Sequence, residues 1–209
     1  MKVLLFGEGN SDVTVDSQER QGAVSILLRK ILESSGNSDA RITGARWPRI
    51  HEKRTTSGFS QKVDAAIALA NTRGADAVAI VVDRDGDRKR LGMLQDGRKK
   101  AGERVDRPYA ALAGRTAIGI AVEMLEAWLI ADAGALSAVV NGDGAMPDPE
   151  SLRNPKEKID ELLDDAGVSV AEGYDAIAEQ ARLDELERRC PAFRNFAREV
   201  QEHLLSPGA

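Results

Sequence analysis

Two kinds of hydrophobic pattern alternate along the first 122 residues of the chain. Short, almost continuous apolar runs predict buried β-strands at residues 2–7, 40–45, 76–82 and 115–122. Apolar residues spaced by three and four predict helices at about 18–34 and 59–74, and the charged segment 84–107 is predicted to be largely helical. Residues 46–58 contain a proline and mostly polar side chains, which is typical of a loop. This alternation indicates an α/β fold, with a parallel sheet and helices on both faces.

The remainder of the chain shows only helical patterns. Helices are predicted at residues 123–140, 155–165, 174–188 and 192–204, separated by segments that contain Gly, Pro and Asp. We therefore expect an α/β domain at residues 1–140 and a helical C-terminal extension at residues 141–209 that packs on it. Trp128 is expected in the core because of its helical spacing, and Phe193 and Phe196 are expected to anchor the last helix.

The composition indicates the compartment. The single Cys190 cannot form an internal disulfide, and one cysteine with two histidines cannot build a structural zinc site. The N-terminal apolar run is too short for a signal peptide, and no run reaches the roughly 18 residues of a membrane span. We expect a cytoplasmic protein that does not enter a membrane.

The charge of the chain is unevenly distributed. The net charge is −5, yet residues 41–54 carry five basic and one acidic side chains, and residues 84–107 carry nine basic and five acidic side chains. Residues 143–187 carry four basic and fourteen acidic side chains. A polyanion is therefore expected to contact the first half of the chain, although each basic run alone is also what a solvated helix or loop presents.

Carboxylates follow two of the predicted strands. Glu8 stands between two glycines just after the first strand, and Asp83, Asp85 and Asp87 follow the strand at 76–82. Because parallel strands end at one edge of the sheet, these acids are expected to share a crevice; Asp83 and Asp85 would point the same way if the backbone stayed extended. Converging carboxylates stay ionised when a cation neutralises them, and oxygen-only ligands suit Mg²⁺ or Mn²⁺. We expect one or two such ions at this edge.

Two more acids follow the fourth predicted strand. Glu123 and Glu126 are three residues apart, so on a helix they would share a face, and either could reach the same sheet edge. Acids in a first helical turn are also favoured by the helix dipole alone. We favour the dipole explanation for Glu123 and a metal-ligand role for Glu126.

Two other motifs share the spacing of DRDGD. A calcium loop that began at Asp83 would need Gly at its sixth position and Glu at its twelfth, where this chain has Arg88 and Leu94. The D-x-D-G pattern also matches phosphatases in which the first Asp is the nucleophile, but that interpretation gives Glu8 no role. The calcium loop is excluded, and the aspartate-based phosphatase stays open as an alternative.

The ordered combination of motifs resembles a known family. An apolar strand ending in GEGNSD, a later strand ending in DRDGD and the helices between them resemble the Toprim domain of topoisomerases, primases and overcoming-lysogenisation-defect nucleases. The segments EMLEAWLIAD, NPKEKIDELL and CPAFRNF resemble more narrowly a family of small bacterial Toprim-like proteins of unknown function, related to those nucleases. The resemblance spans nearly the whole chain. It implies a Toprim-like, Rossmann-type three-layer core with a mostly parallel sheet, and a role in defence against phage.

The resemblance also implies roles for individual residues. Glu8 would be a metal ligand or an acid–base partner, and Asp83 and Asp85 would be metal ligands. Asp12 and Glu126 would be further ligands, the latter at a second metal site. The chain departs from the pattern in the long polar connection DVTVDSQER, and in lacking a sure match for the basic residue near the scissile phosphate, for which the candidates are Arg153, Lys156 and Lys158.

These observations predict a divalent-metal-dependent phosphoryl-transfer protein, with a nuclease acting on DNA or RNA as the first hypothesis. Glu8, Asp83 and Asp85 would be its catalytic residues. The basic residues expected to steer and hold the nucleic acid are Arg49, Lys53, Arg54, Arg88, Lys89, Arg90 and Lys156. The alternatives are a non-catalytic module that binds nucleic acid or a partner ATPase, and the phosphatase. A homo-oligomer is compatible with each of them.

Overall fold

The computed structural model describes residues 1–8, 21–47, 56–122, 125–142 and 148–205. Within these ranges the strands are β1 Lys2–Gly7, β2 Arg41–Arg46, β3 Ala77–Asp83 and β4 Thr116–Ala121. The helices are α1 Ala23–Ser34, α2 Thr56–Thr72, α3 Arg90–Glu103, α4 Ala110–Ala113, α5 Glu126–Leu129, α6 Ala133–Val140, α7 Pro155–Asp165, α8 Val170–Gln180, α9 Leu183–Arg189 and α10 Pro191–Val200. A 3₁₀ turn at Pro149–Ser151 and a π-helical turn at Gln201–Leu205 are also present. No helix in the described ranges is long and apolar enough to cross a membrane.

The strands form one parallel sheet in the order β2–β1–β3–β4. The chain therefore crosses over β1 when it passes from β2 to β3. β1 and β3 pair from Val3 opposite Ala77 to Phe6 opposite Ile80, so that their carboxyl ends open side by side. The chain reverses its direction across the sheet between these two strands, and open α/β sheets commonly bind ligands at such a point.

Strand side chains alternate between two hydrophobic layers. Val3 and Leu5 of β1 belong to the layer that contains α1 and the helices after β4, whereas Leu4 and Phe6 belong to the layer that contains α2, α3 and α4. Both faces of the sheet are covered, which is why the strands appear in the sequence as continuous apolar runs. The predicted α/β fold with a parallel sheet and helices on both faces is confirmed.

The C-terminal helices contribute to the same core as the sheet. Trp128 packs against Phe193 and Phe196, with ring centroids 5.2 and 5.7 Å apart. Phe196 also lies against Gly119 of β4, where an added Cβ atom would be 2.7 Å from its ring. These three aromatic residues are fully buried, as predicted. Residues before and after position 140 thus share one hydrophobic cluster.

The predicted helix at 123–140 is interrupted in the structure. Residues 123 and 124 lie outside the described ranges, α5 ends at Leu129, and α6 begins after Asp132. The Asp132 carboxylate accepts hydrogen bonds from the backbone N–H groups of Gly134 and Ala135, so it caps α6. An aspartate that bonds to the backbone in this way starts a new helix instead of continuing the preceding one.

The predicted helix at 174–188 is likewise divided into α8 and α9. The Lys30 ammonium group, which extends from α1, donates hydrogen bonds to the carbonyl groups of Ala178, Glu179 and Ala181. These carbonyls lie at the end of α8, where a helix leaves its acceptors unpaired. α8 also starts earlier than predicted, because the Ser169 side chain accepts a hydrogen bond from the Glu172 N–H and caps it.

The close approach of α2 and α3 is testable with two glycines of α3. A Cβ atom added at Gly97 would lie 2.9 Å from Ser60 Cα and 3.0 Å from Val63 Cβ, whereas one at Gly92 would meet nothing within 4 Å. Gly97→Ala is expected to lower the free energy of unfolding by about 1–3 kcal/mol, because the helices must move apart. Gly92→Ala should raise it by up to about 1 kcal/mol, because Ala favours the helix. Urea unfolding of both variants measures these free energies. If both variants change the free energy of unfolding by the same amount in the same direction, the described packing of α2 against α3 is wrong.

The carboxylate of Asp132 gives the fold a testable pH dependence. Oδ2 accepts hydrogen bonds from the backbone N–H and the Nε–H of Arg182. Burial acts to raise the pKa of Asp132, but the hydrogen bonds from Arg182 and Ala135 outweigh it and hold that pKa below the ordinary value of 3.8. The stabilisation is therefore complete above pH 3.8 and is lost as the pH falls through the lower native pKa.

Asp132→Asn is expected to lower the free energy of unfolding at pH 7 by about 1–2 kcal/mol, because an amide nitrogen, which cannot accept hydrogen bonds, replaces one of the two acceptor oxygens. The difference in the free energy of unfolding between the variant and the wild type should shrink as the pH falls below 3.8, the ordinary pKa of aspartate. Denaturant unfolding between pH 7 and pH 3 measures it, with exposed Asp39→Asn as the control. A difference that stays constant over this range would show that charge contributes nothing.

Candidate functional site

Glu8 lies against the last residue of β3. It directly follows β1, and its Oε2 atom accepts a hydrogen bond from the backbone N–H of Asp83 at 3.4 Å. This contact follows from the pairing of β1 with β3, because no other strand separates them. The prediction that Glu8 and Asp83 meet at one edge of the sheet is confirmed, while metal binding there stays a prediction.

The carboxylate of Asp83 connects β3 to the segment after β4. Its Oδ1 atom accepts a hydrogen bond of 3.0 Å from the backbone N–H of Leu125. Leu125 immediately precedes α5, so Asp83 helps to fix where that short helix starts. The carboxyl ends of β1 and β3 and the start of α5 therefore meet around Asp83.

The chain turns sharply just after Asp83. Asp85 and Gly86 have φ angles of +48° and +71°, and the Asp87 N–H donates to the Arg84 carbonyl at 2.9 Å. Positive φ at both central positions is the geometry of a type I′ turn, which Asp-Gly favours. The backbone is thus not extended through Asp85. Asp87 instead accepts a hydrogen bond from the Lys89 N–H at 2.9 Å, just before α3.

The guanidinium group of Arg90 lies between the acids. Its Nη1 atom is 2.9 Å from Asp85 Oδ2 and 3.6 Å from Glu8 Oε2, and it also donates to the backbone carbonyl of Asp83. The side chain is only 13% exposed, and its charged end lies over the Phe59 ring, 5.1 Å from the centroid. Arg90 was expected among the cations that face nucleic acid, but in the structure it is the counter-ion of the acids themselves.

The environment of Glu8 raises its pKa above the ordinary value. Burial is the largest cause, and the nearby Asp85 carboxylate adds to the rise. Arg90, the Asp83 N–H and Lys62 act in the opposite direction and limit it. A carboxylate held partly buried beside a second carboxylate is unfavourable without a cation, and such arrangements are concentrated at functional sites.

The acids fit a hard divalent cation in their chemistry. Glu8 and Asp85 offer only oxygen donors, and both already contact one positively charged nitrogen. Mg²⁺ usually takes one or two carboxylates and completes its shell with water or phosphate oxygens. Within the described ranges, no three His, Cys, Asp or Glu side chains converge closely enough to form a metal site as they stand. Asp12, the additional predicted ligand, lies outside those ranges.

Glu126 is buried and bonded to a tyrosine. The Tyr174 hydroxyl lies 3.0 Å from Glu126 Oε1 and 2.8 Å from Asp160 Oδ1, and it can donate to one of them at a time. Burial and the two carboxylates raise the pKa of Tyr174, so the hydroxyl stays protonated. This group links α5, α7 and α8. No sequence pattern pointed to Tyr174 or Asp160, since their contact depends on how three helices pack; the metal role of Glu126 stays a prediction.

A groove of about 330 Å³ runs beside the acidic turn. The turn and α3 contribute to one side of it and α10 to the other, while β4 contributes Ile118 and Ile120. Three arginines and two amides line it together with apolar side chains: Arg84, Arg88, Arg198, Gln95 and Asn195. Three acids also line it, namely Asp87, Glu150 and Glu199. Of these, Glu199 is paired with Arg98 and accepts a hydrogen bond from the Ile118 N–H. The groove therefore offers charges of both signs, hydrogen-bonding groups and apolar surface next to the acidic turn.

The other predicted basic residues occupy different environments. Arg88 and Lys89 are exposed beside the acidic turn, whereas Arg49, Lys53 and Arg54 lie outside the described ranges. Lys156 borders a larger depression of about 660 Å³ along α7, where its neighbours include four acids, namely Glu157, Asp160, Glu161 and Asp164. This acidic surface disfavours a polyanion, so nothing in the structure supports the role predicted for Lys156.

Trp47 and Cys190 are both buried in the hydrophobic core. Trp47 is 8% exposed and packs edge-on against Phe6, with centroids 6.4 Å apart, which favours packing over stacking on a base. Burial raises the pKa of the Cys190 thiol to about 12, so this cysteine is a poor nucleophile at neutral pH.

Comparison with known proteins identifies a family but no activity. A family described as "Domain of unknown function (DUF4276)" matches residues 18–201, a range that includes Asp83, Asp85, Arg90 and Glu126 and begins after Glu8. No curated protein and no solved structure matches the chain. Because the match covers most of its length, the chain belongs to this family of unknown function.

Proposed function

We propose that the protein is a divalent-metal-dependent phosphoryl-transfer enzyme of Toprim type that hydrolyses phosphodiester bonds in nucleic acid. The observation that carries the proposal is the contact of Glu8 and Asp85 with one cationic nitrogen, beside Asp83. These acids lie where the chain reverses its direction across a parallel sheet, which is a common place for ligands. The resemblance of the GEGNSD and DRDGD segments to Toprim domains supports the same chemistry.

The reaction places defined demands on the site. Hydrolysis forms a bond between a water oxygen and phosphorus and breaks the phosphorus–oxygen bond to the leaving group; the attacking water loses a proton, and the leaving oxygen gains one. A bound Mg²⁺ or Mn²⁺ would polarise the phosphate and lower the pKa of the attacking water. Glu8, Asp83 and Asp85 would hold the ion, and Glu8 could instead exchange a proton with water or with the leaving group.

The groove beside the acids is the proposed path of the nucleic acid. Its arginines would pair with phosphates, and the partly exposed Leu91 would offer apolar surface to sugars and bases. The excess of basic residues at 84–107 supports this placement, although the net charge of the chain is −5. A cytoplasmic location and a role against phage nucleic acid belong to the same proposal.

A non-catalytic binding module is the second candidate function. Two observations favour it: Arg90 already neutralises Glu8 and Asp85, and the Asp83 carboxylate is bonded to the Leu125 N–H. A module of this kind would grip nucleic acid or a partner ATPase without cutting. The two functions differ in whether the phosphodiester bond is broken, so one assay separates them.

The first test is cleavage of labelled single-stranded DNA, duplex DNA and RNA by the purified protein with Mg²⁺ or Mn²⁺. We expect cleavage by the wild type, and a loss of at least about 100-fold in Glu8→Gln and Asp83→Asn because the acids that hold the ion or move the proton are gone. Glu33→Gln, on the exposed surface of α1, is the control and should cleave normally.

Each other outcome has a clear meaning. Binding of nucleic acid without cleavage under both metals would reject the nuclease and support the binding module. Turnover of a small phosphoester that survives Glu8→Gln would instead support the aspartate-based phosphatase. Unfolding curves of each variant show whether a loss of activity reflects chemistry or folding.

The role of Glu126 is tested through its tyrosine partner. Tyr174→Phe should lower the free energy of unfolding by about 1–3 kcal/mol, because buried carboxylate oxygens lose a donor. If Glu126 is held only for structure, the Mn²⁺ affinity of the folded variant, measured by calorimetry, should equal that of the wild type. An affinity change of severalfold would instead place Glu126 in the metal site.

A further inference from the structure

We infer that Arg90 is a built-in counter-ion that a divalent cation has to displace from Glu8 and Asp85. The inference rests on the proposed function, because it concerns the same acids, and it adds a means of regulating them. In the protein without metal, the single positive charge of Arg90 would offset part of the negative charge of the two acids. Metal binding would be weakened by the free energy needed to separate the arginine from its two partners.

Glu8 and Asp85 carry like charges that need a cation between them. Glu8 and Asp85 contact the same Arg90 nitrogen, so their negative charges lie close together and repel each other, and Glu8, with a side chain 30% exposed, is partly removed from water. Arg90 pairs with both acids, and among the described residues no other cation is seen to do so. Arg90 therefore supplies positive charge to the converging carboxylates, which the sequence analysis expected from a metal ion.

The Arg90 guanidinium occupies the space between the two acids. Nη1 of Arg90 lies 2.9 and 3.6 Å from the Asp85 and Glu8 oxygens. A Mg²⁺ or Mn²⁺ ion that bridged these oxygens would sit roughly 2.0–2.2 Å from each, in the region that the guanidinium now fills. Two cations cannot share this region, because they exclude and repel each other. The arginine and the ion are therefore alternatives.

Further contacts hold the Arg90 side chain in place. It is the first residue of α3, its guanidinium donates to the Asp83 carbonyl, and its charged end lies over Phe59. These contacts hold the arginine in place and make displacement costly. The long arginine side chain can nevertheless rotate away from the acids without unfolding α3, because the backbone position need not change.

The test is Mn²⁺ binding, measured by calorimetry without any substrate. Arg90→Met removes the charge but keeps a long apolar side chain for the Phe59 ring, and we expect it to bind Mn²⁺ on the order of tenfold more tightly than the wild type. Arg90→Lys keeps a cation at the same position and should stay closer to the wild type. Lys99→Met removes an exposed charge further along α3 and should change the affinity by less than about twofold.

Thermal unfolding supplies a second readout. Without metal, Arg90→Met should melt below the wild type, because Glu8 and Asp85 lose their counter-ion. Saturating Mn²⁺ should raise its melting temperature by more than it raises that of the wild type, since tighter binding to the native state stabilises it further. Arg90→Gln replaces Arg90→Met in both measurements if the methionine variant does not fold.

The failures of the two proposals are distinguishable. If the wild type binds Mn²⁺, if Glu8→Gln abolishes that binding, and if Arg90→Met binds no more tightly, the counter-ion inference is wrong while the metal site stands. If neither the wild type nor Arg90→Met binds Mn²⁺, both the metal site and the inference are overturned. Binding that survives Glu8→Gln would show that Glu8 is not a ligand and would overturn the counter-ion inference, while a metal site formed by Asp83 and Asp85 would stand.

Discussion

The parallel pairing of β1 with β3 is the constraint on which the rest of the site depends. α1, β2 and α2 separate these strands in the chain, yet the carboxyl ends of the strands lie side by side because the connection from β2 passes over β1 and places β3 next to it. Glu8 then meets the Asp83 N–H, and the turn after Asp83 brings Asp85 and Arg90 back toward it. If another strand lay between β1 and β3, the same residues could not form a site.

Glu8 and Asp85 repel each other at this edge, and a side chain of the protein itself, Arg90, lies between them as a counter-ion. The partly buried Glu8 loses hydration, and the exposed Asp85 beside it repels it, so the pair would be destabilising without a cation. The Arg90 guanidinium is suited to the task because its fixed planar donors contact several acceptors and its face lies on an aromatic ring. Arg90 offsets part of the charge of Glu8 and Asp85 and keeps their carboxylates together. It therefore reconciles the stability of the fold with an oxygen-rich site.

The sequence predicted the sheet well, because strands covered on both faces leave continuous apolar runs. It predicted the meeting of Glu8 with Asp83, since that requires only parallel strands. Asp85 was harder, although the Asp-Gly pair that signals a positive-φ turn was present. The helix break at Asp132 was missed because helical spacing continues through an internal cap. The role of Arg90 was not predictable, because a charge count along the chain does not show which cation folds back onto which acid.

The most direct test of the central claim is a crystal structure of the protein soaked in Mn²⁺, with the ion located from its anomalous scattering. The account predicts a peak bonded to carboxylate oxygens of Glu8 and of the acidic turn, with the Arg90 guanidinium moved away from Asp85. A peak at a different surface, or full soaking with Arg90 unmoved and no peak at these acids, would contradict it.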